Sequence, residues 1–151
     1  DPELLAEANV LASKTYEFSE FLVNVLNVQN ASACGAGQEG TATYHPSCHL
    51  LRELGVKTEP TKLLDSVPGL ERKELKGAEI CCGFGGTFSV KFPHISEGMV
   101  TDKINNVIDS GAETLVACDM SCLINMDGAL NRQGYKIKIR HLAQILDSDS
   151  D

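Results

Sequence analysis

Thr-Leu-Val-Ala-Cys-Asp-Met-Ser-Cys, residues 114–122, is the stretch of the chain that most clearly predicts its fold. The apolar run at its start favours a buried strand over residues 114–118. The remainder leads from Asp119 into a predicted helix over residues 122–131, which stops near Gly134. A buried strand that passes directly into a helix is typical of a parallel sheet covered by helices.

Other segments of the chain repeat this alternation of strands and helices. Further strands are predicted over residues 41–45, 70–75, 78–81 and 135–140, the last with the alternating pattern of an edge strand. Further helices are predicted over residues 1–12, 18–26, 47–54, 59–67, 96–110 and 141–146, with Ser96 as the cap of the fifth, and residues 88–92 fit no single state. The sequence therefore predicts an α/β fold with a mostly parallel sheet of about four to five strands flanked by helices.

The length and charge of the chain limit what it can be. Its 151 residues suffice for one domain, in which we expect residues 1–40 to form a helical segment and a loop, residues 41–146 the α/β core, and residues 147–151 a frayed tail. The formal net charge of -8 offers no footprint for nucleic acid. No apolar run reaches the ~20 residues of a membrane span, and no secretory signal is visible. We therefore expect a cytoplasmic chain.

Five of the six cysteines follow the ends of predicted strands. Cys48 follows the first, Cys81 and Cys82 follow the third, and Cys118 and Cys122 follow the fourth. Ligands of open parallel sheets bind at the carboxyl ends of the strands. We therefore expect these cysteines to converge at one edge of the sheet.

The adjacent cysteines open a glycine-rich turn, Cys81-Cys82-Gly83-Phe84-Gly85-Gly86. Neighbouring side chains on an extended backbone point to opposite faces, so the chain must turn if both sulfurs serve one centre. Gly83, Gly85 and Gly86 permit that turn and a close approach to a bulky group. The segment lacks the lysine ending of a P-loop and does not match a dinucleotide fingerprint, which excludes nucleotide binding.

Cysteine thiolates select zinc, copper(I) or iron–sulfur clusters, and the spacing alone does not choose among them. We expect Cys48, Cys81, Cys82 and Cys122 to be the metal ligands, whereas Cys118 could be either a core thiol or a fifth ligand. Three disulfides are the alternative for six cysteines, but the length of the chain and the adjacent pair favour reduced thiols. No residue is predicted to act as an acid–base catalyst.

Three histidines lie near these cysteines in the sequence. His45 and His49 flank Cys48, and His141 begins the final predicted helix. Each is more typical of a polar or surface group than of a ligand, and His45 and His141 are the candidates for hydrogen bonding to sulfur. Cys34, alone in the loop over residues 27–40, is predicted to be a spare thiol.

Three motifs resemble the cysteine-rich CCG domain: Tyr44-His-Pro-Ser-Cys48, Cys81-Cys-Gly-Phe-Gly-Gly-Thr-Phe-Ser-Val-Lys91 and Asp119-Met-Ser-Cys-Leu123. That domain occurs in heterodisulfide reductases, in anaerobic glycerol-3-phosphate dehydrogenases and in the iron–sulfur component of glycolate oxidase. The long middle motif is most similar to the lactate-utilisation group of iron–sulfur oxidoreductases. Members of that group usually carry two such domains, so the resemblance implies that this chain is the second one and that an N-terminal CCG domain is missing.

The resemblance also implies a cofactor and a function. The heterodisulfide reductase relatives end their motif in Cys-x-x-Cys, whereas this chain has Cys118-x-x-x-Cys122, which implies a site of four cysteines. The implied cofactor is an iron–sulfur cluster, of the 4Fe–4S type, in an electron-transfer subunit of a complex that oxidises L-lactate or glycolate to the 2-oxo acid. Other subunits of that complex would carry out the substrate chemistry. A structural zinc domain and thiol–disulfide chemistry at the adjacent pair are the alternatives.

Overall fold

A four-stranded parallel sheet forms the centre of the protein. The computed structural model describes residues 2–34, 37 and 39–147, without the side chains of residues 3, 33 and 34. The strands are β1 (Gly40–Tyr44), β2 (Leu70–Lys73), β3 (Thr114–Ala117) and β4 (Lys138–His141), in the spatial order β2-β1-β3-β4. Thr43 pairs with Lys73 on one side and with Leu115 on the other, and every pairing is parallel. The predicted α/β fold is confirmed.

Helices precede the sheet and connect its strands. They are α1 (Pro2–Ala12), α2 (Phe18–Glu20), α3 (Glu59–Asp65), α4 (Thr87–Lys91), α5 (Pro93–Asp109), α6 (Met120–Arg132) and α7 (Leu142–Leu146). Two π-helical segments, Phe21–Val25 and His49–Leu54, and a 3₁₀ turn over Ala31–Cys34 complete the described elements. No helix in the described part of the chain is long and apolar enough to cross a membrane.

The two faces of the sheet bury separate apolar clusters. Side chains alternate between the faces of a strand, and β3 is buried on both. Val116 packs in a cluster with residues of α3 and α7, whereas Leu115 and Ala117 pack in a second cluster with residues of α5 and α6. The short strand β3 is therefore the shared centre of both cores.

One predicted strand is wrong. Residues 78–81 form a turn, in which the Ile80 amide donates to the Gly77 carbonyl at 3.0 Å. Gly77 has a φ of +61°, which bends the chain away from an extended course. The cysteine pair therefore follows β2 through this turn.

The start of α5 also differs from its prediction. The helix begins at Pro93, and Ser96 lies inside it rather than at its cap. The Ser96 hydroxyl instead donates to the carbonyl of Gly83 at 2.7 Å. The ambiguous residues before it form α4 (Thr87–Lys91).

Several sequence predictions fall at or beyond the limits of the described residues. The predicted cap Asp1, the side chain of Cys34 and residues 148–151 of the predicted tail lie outside them. The division into residues 1–40, 41–146 and 147–151 stays a prediction.

Candidate metal centre

Cys82 and Cys122 are the two buried cysteines of the candidate site. Cys82 belongs to the glycine-rich turn and Cys122 to the first turn of α6, and a hydrogen bond joins their sulfurs at 2.9 Å. This bond lowers the pKa of Cys82 well below the ordinary thiol value and raises the pKa of Cys122. Cys82 therefore loses its proton first, and the pair offers a thiolate at neutral pH.

His45 lies beside this pair with both ring nitrogens buried. It follows β1 and is 1% exposed, and neither nitrogen makes a hydrogen bond of normal geometry within the described residues, although the ring lies close enough to Cys82 to lower the pKa of that thiol. Each of His45, Cys82 and Cys122 has an atom that could bind a metal, and these three atoms lie within 4.8 Å of one another. A buried imidazole without such bonds costs about 1–3 kcal/mol, so its position requires an explanation.

Cys48 and Cys81 extend the group toward the surface. Both are partly buried, and the Cys81 sulfur accepts a bond from the Gly83 amide at 3.4 Å. Burial raises the pKa of Cys81, and the charges of Cys82 and Cys48 raise it further. The charge of Cys48 also contributes to the raised pKa of Cys122. Cys48 and Cys81 therefore interact electrostatically with the buried pair, but they lie outside the group of His45, Cys82 and Cys122 whose ligand atoms are within 4.8 Å of one another. The four-cysteine ligand set stays a prediction.

Cys118 lies in a different environment. It packs against the cluster that contains Val116, on the opposite face of the sheet from Cys122, and the Tyr44 hydroxyl donates to its sulfur at 3.7 Å. Burial raises the pKa of Cys118 to about 12. These surroundings are typical of a core thiol rather than of a metal ligand.

Polar side chains of two helices fix the glycine-rich turn. Ser96 of α5 holds the Gly83 carbonyl, and the Asn125 amide of α6 donates to the Cys82 carbonyl at 2.8 Å. Gly83 has a φ of +82°, and a Cβ there would lie 2.7 Å from the Ser96 carbonyl oxygen. Glycine is therefore required both for the backbone conformation and for the close packing on α5.

The sequence of this chain matches a known protein family. The sequence model of the family CCG, a cysteine-rich domain, matches residues 42–127. The chain belongs to the CCG cysteine-rich domain family. The matched region begins in β1 and ends in α6, so it includes all four predicted ligands.

Curated relatives of this CCG chain carry the name Lactate utilization protein A. The protein from Lysinibacillus sphaericus is 51% identical over 146 residues, covering 97% of this chain and 63% of the relative. The proteins from Geobacillus kaustophilus and Bacillus subtilis are each 49% identical over 148 residues, covering 98% of this chain and 61% of the relative. The chain spans about three fifths of the length of these relatives.

Two of the histidines and two of the glycines in the CCG chain serve local structure. His141 Nδ1 accepts from the Ala143 amide at 3.1 Å and so caps α7, while exposed His49 pairs with Glu53 at 2.7 Å. Gly85 and Gly86 have φ angles of +52° and +57° and lead into α4. These residues shape the surroundings of the sulfurs, and His45 is the histidine that reaches them.

Sequence reasoning missed Lys103 of α5. Its ammonium donates to the carbonyls of Gly77 at 2.9 Å and Ala78 at 2.8 Å, and its side chain is fully buried. In the sequence, Lys103 stands out because it lies on the apolar stripe of α5, between Val100 and Val107. A charged residue at such a position marks a buried polar contact.

The donor set fits a soft metal or an iron–sulfur cluster. Neighbouring cysteines raise the pKa values of Cys81 and Cys122, and the buried imidazole of His45 lies beside Cys82 and Cys122. Thiolate and imidazole together are ligands of zinc, copper and iron–sulfur centres. The orphaned nitrogens of His45 are what a bound group would satisfy.

Proposed function

We propose that this chain is the cluster-holding part of an iron–sulfur electron-transfer protein that takes part in the oxidation of L-lactate or glycolate to the 2-oxo acid. The observation that supports the proposal is the close approach of Cys82, Cys122 and the buried His45, with Cys48 and Cys81 interacting electrostatically with that group. The relatives named Lactate utilization protein A support the choice of substrate class.

Each residue of the site has a distinct role in this proposal. The four cysteines hold the cluster, which supplies one-electron transfer when bound. His45 donates to a sulfur or binds the cluster directly, and Gly83 lets the chain wrap closely around it. None of these residues removes a proton from the substrate, so the hydroxy acid is oxidised on another subunit.

The proposal also includes partners and a location. The relatives are longer than this chain, and we assign the remaining length to a second, N-terminal CCG domain. The electron donor and acceptor are other subunits of the same complex. Cysteines that must stay reduced to bind the cluster favour the cytoplasm.

The test is the metal content of the full-length protein purified without oxygen. We expect iron and acid-labile sulfide, a brown colour, and bleaching by dithionite. A colourless protein with one zinc per chain would contradict electron transfer and would support a structural zinc domain instead.

A second candidate function rests on the 2.9 Å contact between the sulfurs of Cys82 and Cys122. A thiolate so close to a second thiol suits thiol–disulfide exchange. Alkylation of the metal-free protein before and after mild oxidation distinguishes this candidate, because exchange chemistry predicts the reversible loss of two thiols at these positions.

A further inference from the structure

Lys103 places a positive charge inside the protein at a position that suits an apolar residue. Its neighbours on the buried face of α5 include Val100, Ile104 and Val107, and Lys103 itself is 0% exposed. Burying an ammonium costs several kcal/mol unless a negative charge compensates it. The presence of a lysine at this position therefore requires a physical reason.

The direct partners of Lys103 satisfy its hydrogen bonds but not its charge. Its Nζ atom donates to the carbonyls of Gly77 and Ala78, in the turn that leads to Cys81. Both acceptors are neutral. Among the ion pairs of the described residues, none joins a carboxylate to Lys103.

The turn that Lys103 holds leads to Cys81, so thiolates of the site are the negative charges that would compensate its ammonium. Burial lowers the pKa of Lys103 to about 8, and the charges of Cys82, Cys81 and Cys122 oppose that effect. Four thiolates around one divalent ion carry a net charge of minus two, and uptake of an electron by an iron–sulfur cluster adds another negative charge. With four thiolate ligands, the filled site would therefore be anionic with either metal.

We propose that Lys103 is the charge-compensating and positioning residue of the metal centre, where its buried ammonium stabilises the anionic filled site and fastens the turn before Cys81. This inference rests on the proposed function, because the filled site is anionic only if the four cysteines bind the metal or the cluster. Lys103 is a positioning residue, because it bonds the turn and not the sulfurs.

The charge of Lys103 should change the metal affinity and the reduction potential of the site in one direction. A buried positive charge favours whichever state of the site is more negative, and the low polarity of the interior strengthens this effect. Removing the charge must therefore weaken metal binding, and it must shift the reduction potential of a bound cluster to a more negative value. An exposed lysine has a much smaller effect because water and salt screen it.

The experiment uses the full-length protein and compares Lys103→Met, Lys103→Gln and Lys103→Arg. Lys103→Gln keeps an N–H donor for the turn without the charge, and Lys103→Arg keeps the charge. Lys91→Met is the matched control, because Lys91 is exposed and follows the glycine-rich turn in the chain. Circular dichroism and thermal melting establish that each variant is folded.

Two readouts are measured on each variant. Cobalt(II) binding to the reduced, metal-free protein is followed by thiolate-to-cobalt absorption, and the midpoint potential of the iron-loaded protein is measured by redox titration. We expect Lys103→Met and Lys103→Gln to weaken cobalt binding about tenfold and to make the potential more negative. Lys103→Arg and Lys91→Met should each stay within about twofold of the unmodified protein.

The outcomes separate this inference from the proposed function. Unchanged cobalt affinity and potential in folded Lys103→Gln would overturn the role of Lys103 and leave the metal site in place. Equal losses in Lys103→Arg and Lys103→Gln would overturn charge compensation. If Lys103→Met does not fold, Lys103→Gln decides. An unmodified protein that takes up neither iron nor cobalt would overturn the proposed function, and this inference with it.

Discussion

Cys118 and Cys122 are four residues apart and lie in opposite halves of the protein interior. Cys118 directly follows β3 and contacts the Tyr44 hydroxyl, whereas Cys122 lies in the first turn of α6 and contacts Cys82. The same residue type therefore serves packing at one position and the candidate metal centre at the other. The difference can be measured by a conservative substitution.

Replacement of each of these cysteines by serine should give opposite results. Cys122→Ser should abolish metal retention, because the buried partner of Cys82 is lost. Cys118→Ser should retain the metal, because its side chain faces the other apolar cluster. Iron, sulfide and zinc contents of the purified variants are the measurement. A Cys118→Ser protein without metal would make the four-cysteine ligand set wrong.

His45 should be more important for metal binding than for folding. Its two ring nitrogens are buried and make no hydrogen bond of normal geometry within the described residues, which costs about 1–3 kcal/mol. His45→Leu should therefore leave the free energy of unfolding of the reduced, metal-free protein unchanged or higher, while metal retention falls. Urea denaturation and metal analysis of the same preparations test both parts. A large loss of metal-free stability would assign His45 a structural role.

At the scale of elements, the glycine-rich turn depends on its packing against α5. Gly83→Ala should destabilise the protein by about 2–4 kcal/mol, since it adds both a strained φ and a clash with the Ser96 carbonyl. Gly55→Ala is the control: its backbone is left-handed, with a φ of +73° and a ψ of 10°, and no atom lies within 4 Å of the added Cβ, so it should cost only about 1–2 kcal/mol. Denaturant unfolding measures both. Equal costs would show that backbone strain alone matters.

The start of α3 should respond to acid through Glu59. Its carboxylate accepts from the amides of Lys57 at 3.2 Å and Thr58 at 3.1 Å. Burial acts in the opposite direction, but these bonds and one from Asn24 hold the pKa of Glu59 below its usual range. A carboxyl with a lowered pKa stabilises the folded state at pH values above its unfolded-state pKa. This stabilisation is lost as the pH falls through the folded-state pKa.

Glu59→Ala should therefore cost about 1 kcal/mol at pH 7, in the range of a lost helix cap. The difference from the unmodified protein should shrink below about pH 4, the ordinary range of a glutamate. Urea unfolding at pH 7 and at pH 3 provides the measurement. A difference that persists unchanged in acid would mean that the contribution of Glu59 does not depend on its charge.

The elements that the sequence predicted well are those with a clear periodic pattern. The apolar run of β3, the alternation in β4 and the stripe of α5 each produced the observed element within a few residues. The predicted strand over residues 78–81 is wrong, because its apolar residues fit a strand while the positive φ of Gly77 is invisible in the sequence. The placement of the cysteines after strands predicted that they converge, which the structure shows for Cys82 and Cys122, but no local pattern places the Lys103 ammonium under the turn.

At the scale of the whole molecule, stability resides in the sheet and the helices that cover it. Leu123 on α6 is 0% exposed, whereas Leu11 on α1 is 68% exposed. Leu123→Ala should cost about 2–5 kcal/mol, and Leu11→Ala should stay within about 0.5 kcal/mol. Thermal or denaturant unfolding compares them. A large cost at Leu11 would show that α1 contacts the rest of the protein in solution.

The bonds around the glycine-rich turn also set the direction of its peptide dipoles. The carbonyls of Gly77, Ala78, Cys82 and Gly83 are all held by side chains of α5 and α6. The amides of Gly83 and Phe84 instead point to the sulfurs of Cys81 and Cys82. The backbone thus directs two N–H groups toward the sulfurs and four carbonyls toward the helices, an arrangement of peptide dipoles that favours thiolates at Cys81 and Cys82.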